Sequence, residues 1–258
     1  MIALQVAGLE VTYGRERVVH GVSFDVKAGQ TLGLVGESGS GKSSVAAAIV
    51  GLVEPSNGTI SVDGMNVLER SRRARAYRRR AQLVFQNPAA ALDPRMSVGD
   101  SIAEATAATG HRWSKADKVA RVRDLLEHVQ IDPHRAKELP GSFSGGERQR
   151  VTIARALAGE PSVLIADEVT SALDVSVQGA VLNLLRALQR ELDLAIVFIS
   201  HNLAAVRYLS DDIVVMRAGE VVERGKTDAL VARPQHGYTQ QLLEAVPELG
   251  VRMTFSDR

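Results

Sequence analysis

Nine residues, "GESGSGKSS" at positions 36–44, constrain this chain more than any other stretch. Three glycines, a set of serines and one lysine (Lys42) stand between two apolar runs, "TLGLV" and "VAAAIVGL". A purely structural loop seldom needs that much backbone freedom, whereas a loop that wraps an anion does. Glycines let successive backbone N–H groups turn inward around an oxyanion, and a helix start adds its partial positive charge. Gly36, Gly41, Lys42 and Ser43 satisfy G-x-x-x-x-G-K-[ST], after a predicted strand and before a predicted helix, which is the context a phosphate loop requires. Gly36, Glu37, Ser38, Gly39, Ser40, Gly41, Lys42, Ser43 and Ser44 are therefore the candidate nucleotide-binding residues. Lys42 is expected on the β and γ phosphates and Ser43 on Mg²⁺.

Composition narrows the remaining choices. The chain has 258 residues, enough for one large domain or two closely joined lobes with a full core. A net charge of +1 argues against bulk attraction to nucleic acid or an anionic membrane. Without cysteine, disulfides, thiolate metal sites and cysteine nucleophiles are excluded. The start, "MIALQVAGLEVTYG", lacks the basic region and long apolar run of a signal peptide. No uncharged apolar stretch approaches the ~18 residues that span a bilayer. The expectation is a cytoplasmic protein that reaches a membrane, if it does, by docking on other subunits.

"IALQVAGLEVTY", "HGVSFDVKAG" and "GTISVDG" alternate apolar and polar residues between glycines and read as strands. "TLGLVG" is continuously apolar, as a strand buried on both faces would be. "KSSVAAAIVGL", "SVGDSIAEATAAT", "SKADKVARVRDLLEHVQ" and "SGGERQRVTIARALAG" read as helices. Beyond Pro161 strand and helix alternate, "SVLIAD", "DVSVQGAVLNLLRALQREL", "LAIVFIS", "NLAAVRYLS", "DIVVM", which predicts βαβ units and a parallel sheet. A helical block thus interrupts an α/β core between about residues 87 and 160.

Two further features carry chemistry. "VLIADE" ends an apolar strand in Asp167 and Glu168. Asp167 can reach Mg²⁺ directly or through water, and Glu168 can orient and polarise an attacking water. "SFSGGERQR", residues 142–150, is a second glycine-rich helix start, with Ser144 as its N-cap and Gly145–Gly146 open to close approach. Physical reasoning alone leaves an ordinary capped helix and a second anion site equally open.

The order and spacing of Gly36–Ser43, Gln86 in "VFQNP", "SGGERQR", "VLIADE", "SALD" and His201 resemble ABC-type ATPases over nearly the whole chain. The resemblance implies an α/β fold: a P-loop NTPase core with a parallel sheet, an N-terminal antiparallel β subdomain and an inserted α-helical subdomain. It implies an ATPase domain over 1–235 and a short tail over 236–258. Tyr13 resembles the aromatic that stacks on adenine. Gln86 resembles the glutamine that touches Mg²⁺ and the attacking water and couples to membrane subunits. Ser144, Gly145 and Gly146 resemble the signature that grips the γ-phosphate on the opposite subunit, which would account for a second anion site. Ser171 to Asp174 resemble the loop that communicates across that interface, and His201 the switch histidine. The implied catalytic set is Glu168, His201, Gln86 and Lys42; the implied metal set is Ser43, Gln86 and Asp167; the ligands are ATP and Mg²⁺. Phe143, Glu147 and Asn202 depart from the usual leucine, glutamine and aspartate, and Glu147 adds a negative charge at the phosphate-facing helix start.

"RRRAQLVFQNPAAALDPRMSVGDSIAE" and the tail "HGYTQQLLEAVP" are similar to the dipeptide, oligopeptide and nickel importer ATPases. That branch implies two integral-membrane permeases, a second ABC ATPase as heterodimer partner (or a homodimer), an extracytoplasmic solute-binding protein, and a place on the cytoplasmic face of the membrane. Its members implied as substrates are peptides, nickel or a related solute; the rival is the ATPase of a soluble complex such as phosphonate utilisation. The basic run "RRARAYRRR", residues 72–80, is expected to be a solvated helix rather than a nucleic-acid site, because the rest of the chain balances its charge.

Overall fold

The computed structural model describes residues 1–69 and 71–244. It opens with two long antiparallel strands, β1 (Ile2–Tyr13) and β2 (Glu16–Lys27). In β1 the inward residues are Leu4 and Val6, then Leu9 and Val11, so the alternation changes parity midway. A register shift between Val6 and Leu9 absorbs the extra residue and keeps all four on the buried face. The chain then runs through β3 (Thr31–Val35) and α1 (Lys42–Ile49) to β4 (Asn57–Val62) and β5 (Met65–Asn66). One sheet has the order β2-β1-β4-β5, its pairings antiparallel.

Next come α2 (Arg72–Arg78) and β6 (Ala81–Val84). The basic run does form a helix, but a docked one. Ala74 is buried, Tyr77 packs against the core, and Arg78 Nε donates to the Val67 carbonyl at 3.0 Å. Four helices separate β6 from the next strand: α3 (Pro88–Ala91), α4 (Val98–Ala105), α5 (Lys115–His128) and α6 (Gly145–Leu157). The helix read over "SVGDSIAEATAAT" stops at Ala105 and continues as a 3₁₀ turn over Thr106–Thr109. The hydroxyls of Thr106 and Thr109 donate to carbonyls three residues back, competing with α-helical bonding.

The alternating half follows: β7 (Val163–Asp167), α7 (Val175–Glu191), β8 (Ala195–Ile199), α8 (Leu203–Leu209) and β9 (Asp212–Arg217). It continues with β10 (Glu220–Lys226), α9 (Thr227–Ala232) and α10 (Gly237–Glu244), three elements the pattern reading did not foresee. The second sheet has the order β10-β9-β3-β8-β7-β6, parallel from β9 to β6, with β10 antiparallel at the edge.

Both faces of this sheet are buried, which explains its unbroken apolar strands. In β8, Ala195, Val197 and Ile199 join α1 and the antiparallel sheet in one core. Ile196 and Phe198 point the other way, into a core shared with α4, α5, α6 and α7. The turn between β9 and β10 joins the two sheets: the His20 N–H donates to the Gly219 carbonyl at 2.9 Å, while the Gly219 N–H donates to the Ser40 carbonyl at 3.2 Å.

Candidate nucleotide-binding site

Four adjacent parallel strands, β3, β8, β7 and β6, end on the same edge of the sheet. Loop 36–41 follows β3, His201 lies just past β8, Asp167 and Glu168 close β7, and Gln86 follows β6. Residues more than a hundred positions apart thus meet at the carboxyl ends of the strands, where ligands bind in open α/β sheets.

The loop itself is tightly wound. A side chain at Gly36 would place its Cβ 2.1 Å from the Met216 carbonyl oxygen, so only glycine fits there. Gly41 is the N-cap of α1 with a left-handed backbone and no side-chain cap, and the first turn of α1 holds no acidic residue. The opening N–H groups of α1 are therefore not consumed by a capping side chain. Lys42 is buried and donates to the Gly36 carbonyl at 2.9 Å, the Glu37 carbonyl at 2.7 Å and Ser40 Oγ at 3.0 Å. Burial pushes its ammonium pKa below the ordinary lysine value, against the opposing pull of Glu168, Asp167 and Glu37. Ser38 and Gly39 form the exposed crest of the loop, with Ser43 exposed and Ser44 half-buried on α1 behind it.

Asp167, the last residue of β7, is held above the ordinary aspartate range chiefly by burial; the hydrogen bond from Ser43 opposes the rise, Glu168 adds to it and Lys42 opposes it. Its Oδ1 is buried without a hydrogen-bond partner. A buried, unpaired carboxylate oxygen beside a serine hydroxyl is a hard-donor pair suited to a divalent cation. Glu168 has a left-handed backbone, φ +48°. Such strain in a non-glycine residue persists only where the surroundings over-determine it. Here the Glu168 N–H donates to the Ile199 carbonyl at 2.9 Å, and its own carbonyl accepts from the Ser171 N–H and Oγ. The side chain is thereby aimed at His201, whose Nδ1 lies 3.3 Å from Glu168 Oε1.

Gln86 Nε2 donates to Ser171 Oγ at 3.0 Å, and Ser171 Oγ donates to the Glu168 carbonyl at 2.9 Å. The resemblance marks Ser171 only as the start of the loop Ser171–Asp174; its relay from Gln86 to the acidic strand end is a tertiary contact that no spacing announces. Tyr13 stands at the tip of the β1–β2 hairpin, 48% exposed. Asn202 caps α8, accepting from the Ala205 N–H at 3.2 Å.

Ser144, Gly145 and Gly146 form a second cluster, at the start of α6 against Leu173 and against Val177 of α7. Ser144 and Glu147 make a reciprocal capping box: Ser144 Oγ accepts from the Glu147 N–H at 3.3 Å, and Glu147 Oε2 accepts from the Ser144 N–H at 2.8 Å. Gly146 has a packing reason to be glycine, because a Cβ there would lie 2.3 Å from Val177 Cγ1. The added charge of Glu147 is answered by Arg135, whose Nη1 donates to Glu147 Oε1 at 2.6 Å. The same guanidinium bonds Glu138 and stacks 4.0 Å over the Phe143 ring. Two of the three departures in the sequence therefore share one partner. The bonds to Ser144 foremost, together with Arg135, hold the Glu147 carboxyl below the ordinary glutamate range. Arg135 carried no motif signal.

The ABC transporter family model matches residues 19–171. The di/tripeptide transport ATP-binding protein DppF of Pseudomonas aeruginosa is 44% identical over 243 residues, covering 94% of this chain and 75% of that protein. The oligopeptide transport ATP-binding protein OppF of Bacillus subtilis is 45% identical over 236 residues, covering 91% and 77%. Among solved structures, the cbiO1 part of an ABC transporter complex from Clostridium perfringens superimposes with a TM-score of 0.81 at 28% identity, covering 90% of this chain and 91% of that one. A dimeric ATP-binding cassette in a post-hydrolysis state with ADP and Pi superimposes at 0.76 with 27% identity, covering 87% and 98%. Family match, relatives aligned over more than nine-tenths of this chain and matching architecture agree with the strand-end site: the chain belongs to the ABC transporter family and is one of its ATPase subunits.

Proposed function

We propose that this chain binds Mg-ATP at the strand-end cluster and couples its hydrolysis to import of peptides or a related small solute through two membrane permeases. The observation that carries the reading is the convergence of the glycine loop, Asp167, Glu168, His201 and Gln86 on four adjacent strand ends. Identities of 44% and 45% to a di/tripeptide and an oligopeptide transport ATP-binding protein support the substrate class. These relatives are named for transport, so they lend no support to the soluble-complex rival.

The loop N–H groups and the start of α1 would cradle the phosphates, with Lys42 kept in place by the Gly36 carbonyl while its other donors turn to the β and γ oxygens. Tyr13, exposed at its hairpin tip, is the proposed adenine platform. The unpaired Asp167 Oδ1, the Ser43 hydroxyl and the Gln86 amide oxygen would hold Mg²⁺. Bound there, Mg²⁺ would neutralise charge on the phosphate oxygens. Glu168 orients and polarises the attacking water, and His201, beside it, senses the γ-phosphate. As the family resemblance implies, Ser144, Gly145 and Gly146 would cap the ATP of a second ATPase packed head to tail, a heterodimer partner or another copy. A solute-binding protein outside the membrane would deliver cargo to the same assembly, placing this subunit on the cytoplasmic face.

The test pairs two substitutions. Lys42→Ala should raise the Kd for Mg-ATP by about tenfold or more, while Glu168→Gln should bind normally yet lower turnover by about a hundredfold and trap an ATP-bound dimer. Equilibrium titration and phosphate release measure the two effects. Wild-type binding and turnover in both variants would rule the site out.

A further inference from the structure

The tail helix α10 reaches the phosphate loop. Tyr238, in its first turn, is 3% exposed and belongs to the hydrophobic core that also holds Ile213 and Val215 of β9. Its hydroxyl oxygen accepts a hydrogen bond from the Glu37 N–H at 2.8 Å, across 201 positions of sequence. That N–H belongs to the peptide unit whose other end is the Gly36 carbonyl. The Gly36 carbonyl in turn accepts from Lys42 Nζ at 2.9 Å. One peptide plane is thus pinned at both ends, by a tail phenol on the N–H side and by the loop lysine on the C=O side.

The pinning is rigid because Tyr238 has no freedom to drift. The Arg217 guanidinium covers its ring at 4.9 Å from the centroid. The entry to α10 is fixed from β10, where the two carboxylate oxygens of Glu223 accept from the Gln235 N–H at 2.8 Å and the His236 N–H at 3.1 Å. Leu242 and Leu243 pack the far end against the core. Meanwhile Gly36 sits against the Met216 carbonyl of β9, so the loop cannot retreat toward the strand to find another acceptor.

We infer that Tyr238 is a positioning residue for nucleotide binding, setting the Gly36–Glu37 peptide that holds Lys42 and so making the tail helix part of the phosphate site. The inference rests on the nucleotide reading above. Without the hydroxyl, the Glu37 N–H loses its acceptor behind the loop while the ring still fills the core. The peptide is then free to rotate, its carbonyl no longer directs Lys42, and the ammonium meets the phosphates less well placed. Tyr238→Phe removes this one bond and little else.

The experiment uses the full chain. Mg-ATP is titrated calorimetrically into wild type, Tyr238→Phe and Lys42→Ala, and amide exchange is followed at Glu37. The expected result for Tyr238→Phe is a Kd raised about three- to tenfold, the scale of one hydrogen bond, with the number of binding sites unchanged and faster exchange at Glu37. A merely structural role would instead lower the number of competent sites and leave Kd where it was, and that result would overturn the inference, as would an unaltered titration. If Lys42→Ala binds Mg-ATP like wild type, the nucleotide reading falls, and this inference with it. If Lys42→Ala weakens binding and Tyr238→Phe does not, only the inference about the tail fails.

Discussion

Arg135 shows how a single side chain can reconcile a motif with its own departures. Its guanidinium pairs with Glu147 and lies over Phe143, the two signature positions that differ from the usual residues. An exposed ion pair alone contributes little, but a fork that is also stacked and shared with Glu138 holds one geometry. If the start of α6 caps a partner's ATP as proposed, Arg135→Ala should lower turnover of the assembled ATPase by about five- to tenfold, because the Glu147 charge is then uncompensated, and adding Glu147→Gln should recover most of it. Phosphate-release assays on the single and double variants decide the matter; equal losses in both would show that charge compensation is not the role of Arg135. The sequence makes Lys42, Asp167, Glu168 and Ser144 legible because each sits in a spacing that physical chemistry requires. Arg135 and Tyr238 carry no such spacing, and Ser171 is marked only through the resemblance, with its bond to Gln86 unannounced. Their roles come from tertiary contacts at separations of 12, 85 and 201 positions. Glu147 brings a charge to the helix start and also completes the S-x-x-E capping signature, and both aspects meet in its bonds to Arg135 and Ser144.

At the scale of elements, helix α6 is defined as much by its neighbour as by its cap. Gly146 lets it approach α7 at Val177. Gly146→Ala should destabilise the fold by about 1–3 kcal/mol through overpacking, and Val177→Ala in the same chain should relieve most of that cost. Urea unfolding midpoints of the three variants measure it. If Gly146→Ala and the double variant unfold alike, the close approach is not what the glycine serves. Elements with strong periodicity, such as α5, α7 and β8, were legible because an amphipathic stripe or an unbroken apolar run leaves few other folds. Those that escaped, β5, α3, β10, α9 and α10, are short or half-exposed. β10 reads "EVVERGK" and is exposed at Glu220, Arg224 and Lys226, so its strand character comes from pairing with β9 rather than from its own pattern. The basic helix α2 was legible as a helix. Its docking through Arg78 onto Val67 was not, because long cationic side chains bury their stems while their sequence says only charge.

For the whole molecule, the parallel sheet with two buried faces is what brings distant motifs to one edge, and the apolar runs announced it. The mooring of the tail was hidden, and it makes a pH prediction. Although burial works against it, the Gln235 and His236 amides hold the Glu223 carboxyl below the ordinary glutamate value. A lowered folded pKa means that the stability Glu223 lends is fully present above the ordinary glutamate value and is lost as pH falls through the lowered one. Thermal midpoints measured down through the acid range should therefore fall more steeply for wild type than for Glu223→Gln; parallel curves would show that the carboxylate does not moor α10. The β9–β10 turn carries a last implication. Gly219 grips the antiparallel sheet through His20 and the glycine loop through Ser40 with the two ends of one residue. A single backbone residue thus ties the β1–β2 hairpin sheet to the glycine loop, with no side chain in between.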